Sequence, residues 1–553
     1  MKQFQMSKIL IAGVFSSLLL ISCSKVSEQA KLIPADAAIV GVVDVPSVGL
    51  KGKLYDSKSF ATIDQLITMI ESGDEATGFL LRSLLKGNKN VGVSLMSPMY
   101  FYTVVEENLR NANAAIVVAL SDEDDFANSL ESGLSDDFSK ETLPEYTYYT
   151  NESGIYIAFN DESAVFLASS NTYNTAKGVE FLQNIFAQEE EESIASSETF
   201  ETFMKEAKDV SVLISGTNIL SKLSEELYDN VKKSAESHVG FNVDDFFNSY
   251  ATFNLALEDE NISVEATVIP SDNLAAFIKD NSYYKSDFEE NLLEFLPKTT
   301  HTTLSFAVVP EKIKSHLQDS REYAQIESML AQQGISADDF FAAIGGDVAF
   351  SLYDIAVEEV KSIGYTYDLN PATNQYEVME EEVMKEQILP KGSVVLSLRD
   401  EAFFANLLAK AASMGVLEKV GNNYKLPPLA SDFPIYLGLS EKTLILSSDE
   451  DAPKQLEDGG YSESFSDSDL ASKVSPEGYY FINLDYASYP EDVKHFVKEA
   501  GVERILESYS IFKSLEVSGQ GNSATIKLNM LSDEENSLYQ ILQAVDNSKS
   551  PQF

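Results

Sequence analysis

Two hydrophobic patterns alternate along the chain. In short stretches apolar and polar residues alternate one by one, and in longer stretches apolar residues recur every three or four positions. The first pattern predicts half-buried β-strands, and the second predicts amphipathic helices. Several predicted strands are joined by short turns, such as those at 258–261 and 519–522. Because such hairpins pair antiparallel, we expect an α+β fold with mainly antiparallel sheets covered by helices.

The predicted elements occur twice, in the same order. The stretch "VVALSDEDDFANSL" (117–130) and the stretch "VLSLRDEAFFANLL" (395–408) are identical at eight of fourteen positions. Similar pairs of stretches flank them, beginning at residues 33 and 296, 155 and 435, and 253 and 515. A repeat of this length predicts two tandem duplicated domains, which we place at 33–290 and 291–553.

The two copies differ in length at two places. Residues 365–387 have no counterpart of similar length in the first copy, and the acidic segment 187–198 has none in the second. Because insertions are tolerated best on the surface, both segments are predicted to be loops or decorations.

Four consecutive acidic residues, 122–125, stand directly before a helix-like run. The second copy keeps Asp400 at the position of Asp122 but has Ala402 and Phe403 in place of Asp124 and Asp125. The aspartate that persists is what a helix N-cap needs, because its side chain accepts a backbone N–H bond. A metal site would need several oxygen ligands that converge. The pattern therefore favours a helix start.

The amino terminus predicts a membrane anchor. Lys2 and Lys8 lead into an apolar run at 9–21, which is shorter than the roughly 20 residues of a membrane-spanning helix, so we predict a signal peptide over 1–22. The string "LISC", ending at Cys23, resembles a bacterial lipobox. The resemblance implies that Cys23 is diacylated at its thiol and, after cleavage, becomes the acylated first residue.

The lipid on Cys23 would tether the protein to a membrane through a linker at 23–32, since two or three acyl chains anchor a protein stably. In lipoproteins of this type an aspartate after the cysteine tends to retain the protein in the inner membrane, and here that residue is Ser24. We therefore expect an outer-membrane lipoprotein, on the periplasmic face in preference to the cell surface.

Composition excludes some functions. The chain has 88 acidic and 40 basic residues, a formal charge of −48, which disfavours binding to nucleic acid. With 44% hydrophobic residues it can form well-packed cores. Cys23 is the single cysteine, so disulfides, cysteine catalysis and zinc–thiolate sites are not expected.

No known catalytic motif is present. The four histidines, at 238, 301, 316 and 495, do not have metal-binding spacing, and phosphate-binding and dinucleotide-binding glycine loops are absent. Ser282 and Lys285 form an S-x-x-K string and 271–273 an S-D-N string, as in penicillin-binding proteins, but in reversed order and without K-T-G. A helix cap accounts for Ser271. We predict no catalytic, cofactor-binding or metal-binding residue.

Two further strings, "LIPADAAIVGVVDVPSVGLKG" from Leu32 and "NVGVSLMSPMYFYTV" from Asn90, resemble a family of uncharacterised Bacteroidota lipoproteins that share a domain of unknown function. The resemblance implies location and architecture and supplies no catalytic residues. We expect a non-enzymatic, lipid-anchored envelope protein that binds a partner protein or an envelope ligand. Two alternatives remain open: a hydrolase that acts on glycan or peptide through carboxylates, and a small-molecule carrier with an apolar pocket.

Overall fold

The protein is α+β, with helices and a large antiparallel sheet. A computed structural model describes residues 27–55, 60–71, 78, 82, 91–106, 111–134, 136–170, 175–238, 243–318, 320–370, 375–426, 435–499, 501 and 510–549. The predicted signal peptide and Cys23 lie outside these residues. The chain divides into two compact units: the first is Met1–Glu258, Ile262–Phe277 and Glu535–Phe553, and the second is Asp259–Asn261 and Ile278–Glu534.

The strands of the first unit form one antiparallel ladder in the order β4-β5-β6-β7-β3-β2-β1-β8-β9-β10. Their bounds are β1 Ile39–Val43, β2 Met99–Val105, β3 Ala112–Ala119, β4 Ser139–Thr142, β5 Thr147–Thr150, β6 Ile155–Phe159, β7 Ser163–Ser169, β8 Val210–Ser215, β9 Tyr250–Leu257 and β10 Asn261–Ile269.

The strands of the second unit form a ladder in the order β14-β15-β16-β17-β13-β12-β11-β18-β19-β20, which is the order of the first unit with ten added to each number. Their bounds are β11 Thr302–Ala307, β12 Ile344–Asn370, β13 Gln375–Leu398, β14 Glu418–Val420, β15 Asn423–Leu426, β16 Ile435–Ser440, β17 Thr443–Ser447, β18 Tyr479–Asn483, β19 Phe512–Gln520 and β20 Ser523–Met530.

Helices connect the strands at matching points of the two units. The α-helices are α1 Val45–Lys51, α2 Ala61–Glu71, α3 Glu123–Gly133, α4 Thr175–Ala187, α5 Glu198–Glu206, α6 Gly216–Leu220, α7 Glu225–His238, α8 Val243–Phe247, α9 Asp272–Asn281, α10 Pro310–Leu317, α11 Arg321–Gln332, α12 Ala337–Ala343, α13 Glu401–Ser413, α14 Ala452–Glu457, α15 Glu491–Glu499 and α16 Ser537–Lys549. Short 3-10 helices span Glu28–Leu32, Glu190–Glu192, Ile194–Ser196, Glu290–Phe295, Phe465–Asp467, Ala471–Lys473 and Tyr486–Ser488.

The backbone hydrogen bonds of the two ladders also correspond. In the first unit the N–H of Ala38 donates to the carbonyl oxygen of Thr103 at 2.8 Å, and in the second the N–H of His301 donates to that of Leu352 at 2.7 Å. Two residues are equivalent when they hold the same place in the two ladders, so Ala38 is equivalent to His301.

The helix start at 122–125 is confirmed in both units. The Asp122 carboxylate accepts a hydrogen bond from the N–H of Asp125 at 2.8 Å, and the Asp400 carboxylate accepts one from the N–H of Phe403 at 3.0 Å. Each aspartate is the N-cap of its helix, α3 or α13. The buried side chains of these helices include a phenylalanine and a leucine four positions apart: Phe126 and Leu130, and Phe404 and Leu408.

The acidic segment 187–198 was predicted to be a loop or decoration without a counterpart in the second copy, and the structure differs on the counterpart. It contains two 3-10 helices, and the N–H of Ile194 donates to the carbonyl oxygen of Ile33 at 2.8 Å. It also has a counterpart in the second unit, where the N–H of Phe465 donates to Leu296 at 2.8 Å. Ile194 and Phe465 are both buried, so one apolar residue fixes each segment to the core.

Residues 365–387 are not a loop, because most of them lie in β12 and β13, which pair over their whole length. The alternation of apolar and polar residues in "SIGYTYDLN", from Ser362, is the strand pattern behind this result.

Candidate functional site: a polar cavity in the second unit

The second unit contains a cavity of about 900 Å³ with mostly polar walls. Strands β18, β19 and β20 supply one wall. The 3-10 helices at 465–473 and Lys298 supply the others. Its charged lining residues are Glu260, Lys298, Asp467, Asp469, Lys473, Asp485, Lys513, Glu516, Lys527 and Asp533. The volume is in the range of small-molecule binding sites, which measure roughly 300–1,000 Å³.

A buried carboxylate, that of Glu516 on β19, is held by a hydrogen-bond network. The ammonium group of Lys473 contacts its two oxygens at 3.0 and 2.7 Å. The Asn529 amide donates to it at 2.7 Å, and the Tyr479 hydroxyl donates at 3.4 Å. Burial, together with the nearby Glu516 charge, raises the pKa of Tyr479, which therefore remains a donor at neutral pH. The charge of Glu516 is thus compensated within the protein.

Three other lysines of the wall have no such partner. Among the residues that the structure describes, no carboxylate lies within 4.0 Å of the ammonium groups of Lys298, Lys513 or Lys527. Lys527 lies opposite Glu516 in the β19–β20 ladder, yet Glu516 pairs with Lys473 instead. In a chain with 88 acidic residues, these lysines are positive charges available to a ligand.

Two of the acidic residues in the wall have structural roles. The Asp467 carboxylate accepts from the N–H of Ser464 at 3.1 Å, and the Asp485 carboxylate accepts from the N–H of Ala487 at 3.0 Å. Both bonds stabilise the starts of 3-10 helices. The carboxylates of the wall are therefore in part engaged by the backbone, while the three lysines are not.

The same place in the first unit holds a cavity of only about 70 Å³. Tyr250 lies opposite Ser215 in the β8–β9 ladder, and its equivalent, Ser514, lies opposite Asn483 in the β18–β19 ladder. A large ring in the first unit therefore stands where the second unit has a hydroxymethyl group. Asn218 also lines the first cavity, and its amide donates to two backbone carbonyl oxygens, at 3.1 and 2.8 Å.

The residues singled out in the sequence have other roles. The Ser271 hydroxyl accepts from the N–H of Leu274 at 3.3 Å and caps α9, as predicted. The Lys285 ammonium group pairs with the fully buried Asp347 carboxylate at 2.5 Å. Asp347 also accepts from the Ser397 hydroxyl at 2.7 Å, so this lysine belongs to a structural network.

His301 is buried, and its ring stacks on that of Tyr489 at 4.7 Å between centroids. Burial lowers its pKa below the usual value. No group of three or more histidine, cysteine, aspartate or glutamate residues in the described ranges is placed to hold a metal ion.

The cavity residues escaped the sequence analysis, although one signal existed. When the two hairpins from residues 253 and 515 are aligned by ladder register, Thr252 of the first unit is equivalent to Glu516 and Thr267 is equivalent to Lys527. Charged residues at inward-facing positions of a strand are unusual and indicate a polar site.

The fold and the cavity define an α+β protein of two similarly built units, of which the second holds the larger of the two equivalent cavities. The sequence matches the Domain of unknown function (DUF4836) over residues 30–538, and the chain belongs to that family. A comparison with curated proteins finds no match. No helix in the described residues has the length and apolar character needed to cross a membrane.

Solved structures give only distant similarities. Crystal form III of TP0453 has a TM-score of 0.25 and 10% identity, and the match covers 47% of this chain and 88% of that chain. Crystal form IV has a TM-score of 0.24 and 12% identity, covering 43% of this chain and 79% of that chain. TM-scores this low do not show a shared fold.

Proposed function

We propose that the protein is a lipid-anchored component of the Bacteroidota cell envelope that binds its ligand without transforming it. The signal peptide and the lipobox ending at Cys23 support an anchor at the outer membrane, and we place the protein on the periplasmic face. The first of the two strings that carry the family resemblance begins at Leu32, shortly after the lipobox.

The polar cavity of the second unit is the proposed binding site, and one observation carries the proposal. Lys298, Lys513 and Lys527 line a space of about 900 Å³ without carboxylate partners, while the buried Glu516 is already neutralised by Lys473. The walls also carry the carboxylates of Glu260, Asp469 and Asp533, so a polar ligand with both positively and negatively charged groups and several hydrogen-bonding groups would fit them. The same walls disfavour a carrier of apolar molecules.

The state of the buried carboxylates that the structure describes supports the proposal of a non-enzymatic role. Catalysis by a carboxylate pair needs two acids whose environments separate their pKa values. Glu516 is bound by a lysine and an amide, and Asp347 is bound by a lysine and a hydroxyl. These carboxylates are arranged for stability, so binding is the function that the geometry supports best.

We also propose that the two units arose by tandem duplication. The identical strand order, the shared helix caps at Asp122 and Asp400, and the matching backbone bonds of Ile194 and Phe465 support it. In this account one copy kept a closed interior while the other opened the equivalent space for a ligand.

Native mass spectrometry of the full protein, purified from its own cells in mild detergent, tests the binding site. We expect an additional mass of a polar small molecule on the wild type. The variant Ser514→Tyr, which places the ring of the first unit in the second, should lose that mass. The matched variant Tyr250→Ser, in the first unit, should keep it.

Thermal unfolding of both variants checks that a loss of mass does not reflect loss of fold. An additional mass that persists in Ser514→Tyr, or a wild-type protein that carries none, would contradict the proposed site. Double substitution Lys513→Ala and Lys527→Ala gives a second test, because it removes two charges without filling the cavity.

A further inference from the structure

Strands β12 and β13 continue far beyond their neighbours. Their pairing runs from Asp354 opposite Lys391 to Asn370 opposite Gln375. The neighbouring strand β11 pairs with β12 only as far as Leu352, and β17 pairs with β13 only from Ser393. We call residues 354–370 and 375–391 the ribbon. At roughly 3.3 Å per residue it is about 50 Å long.

Among the strands that the structure describes, none pairs with either edge of the ribbon. An ion pair between Lys391 and Asp354 lies at its base. A two-stranded hairpin is only marginally stable in water, and unpaired edges tend to acquire another strand. The equivalent strands of the first unit, β2 and β3, have only 7 and 8 residues.

The ribbon also exposes apolar side chains. Tyr365 is 57% exposed, Val378 is 55% exposed and Met384 is 56% exposed. Along β12 the residues at 363, 365, 367 and 369 are Ile, Tyr, Tyr and Leu, in alternation with polar residues and glycine. Val378 lies opposite residue 367 in the ladder, and alternate residues of a strand share a face, so Tyr365 and Val378 lie on the same face of the ribbon. Helix α15 contacts β12, but the three residues above remain open to solvent.

Charge decides which partner fits this surface. The ribbon has nine carboxylates and three lysines, a net charge of −6. A second copy of the chain, with a net charge of −48, would be repelled, and so would an anionic membrane surface. A protein with a basic surface would gain from the same field.

We propose that the ribbon is a docking arm for a basic envelope protein, which adds a strand to an edge of the ribbon and covers its apolar face. Backbone hydrogen bonds along the edge would provide affinity, and the apolar and acidic positions would select the partner. This interaction is independent of the cavity, because the ribbon supplies no residue to the cavity walls.

The test uses a photo-crosslinking amino acid at Tyr365 or Val378 of the full chain, expressed in its own cells. The control position is Ala114, which is exposed on the equivalent hairpin of the first unit. We expect one protein to crosslink at both ribbon positions and not at the control. The crosslinked peptide should carry a net positive charge, and ribbon amides should exchange more slowly in the purified complex.

Charge reversal distinguishes specific docking at the ribbon from nonspecific binding. The triple substitution of residues 380–382 from Glu to Lys should lower the crosslinking yield about tenfold or more, because it removes the attraction. The matched control replaces residues 190–192, three glutamates of the acidic segment 187–198, with Lys. It should leave the crosslinking yield unchanged. Crosslinks to a second copy, to lipid or to no protein would overturn the proposal, as would equal losses in the two triple variants.

Discussion

The two units of this protein are built on one plan and differ at the polar cavity and at the ribbon. They share the strand order, the N-caps of α3 and α13, and the apolar residues that fix the 3-10 helices to the core. They differ in the volume of one cavity and in the length of one hairpin. The interactions that fold a unit are thus separable from those that give the second unit its proposed function.

Two equivalent positions illustrate how small the changes are. Tyr250 of the first unit is equivalent to Ser514 of the second unit, and the smaller serine leaves space beside β19. Ala38 becomes His301, which puts a titratable ring into a buried position without changing the backbone hydrogen bond. Both changes retain the ladder, so a new property appears without a new fold.

The largest expected effect concerns the shared helix, and it should be similar in the two units. Phe126 is fully buried and lies edge-on to the ring of Phe159, while Phe404 is packed against Phe340. We expect Phe126→Ala and Phe404→Ala each to lower the free energy of unfolding of their unit by about 3–5 kcal/mol. Urea titration measures the effect. A loss below about 1 kcal/mol in only one of the two units would contradict the claim that the two helices have equivalent roles.

The buried ion pairs come next. Substitution Asp347→Ala leaves the Lys285 ammonium group without its carboxylate, and Asp209→Ala does the same to Lys51 in the first unit. Because each lysine stays partly exposed to water, we expect a loss of about 2–3 kcal/mol for each variant. Urea titration again measures it, with Glu311→Ala at an exposed ion pair as a control that should cost less than about 1 kcal/mol.

The N-caps should give smaller, matched effects. Asp122→Ala and Asp400→Ala each remove one hydrogen bond to a backbone N–H at a helix start, so each should cost about 1 kcal/mol. The second unit has Ala402 at the position of Asp124, so Asp124→Ala should cost less stability than the two cap variants. Thermal unfolding of the three variants compares them, and an equal loss in all three would contradict the cap assignment.

The smallest effect sharpens the contrast between Ala38 and His301. Burial lowers the pKa of His301 below 6.5, so the folded state keeps the ring neutral while the unfolded state binds a proton. The resulting stability is present above about pH 6.5 and is lost as the pH falls toward the folded-state pKa. The variant His301→Ala has the same residue as the first unit at this position. Between about pH 7 and pH 5.5 we expect its second unit to lose less stability than that of the wild type. Urea titration at the two pH values shows whether the slope changes.

The sequence predicted the parts of the fold that depend on local patterns. The α+β class, the caps at Asp122 and Asp400 and the cap at Ser271 follow from spacing and side-chain chemistry. The matching order of elements in the two units was visible in short repeated strings. These features are encoded in neighbouring residues, which is why sequence alone reveals them.

The features that it missed depend on which strands become neighbours. Lys298, Lys473 and Lys513 are far apart in sequence and meet only when the ladder is complete. Residues 365–387, predicted to be a loop or decoration, form a large part of the ribbon, because their alternating pattern suits paired strands. Alignment of the two units by ladder register would have indicated both features.

A crystal structure of the full protein, purified from its own cells without added ligand, tests the central claim most directly. The account predicts electron density for a polar molecule against Lys513 and Lys527 in the second unit, while Tyr250 fills the equivalent place in the first. Density for water alone in the second cavity, or a ligand beside Tyr250, would contradict it.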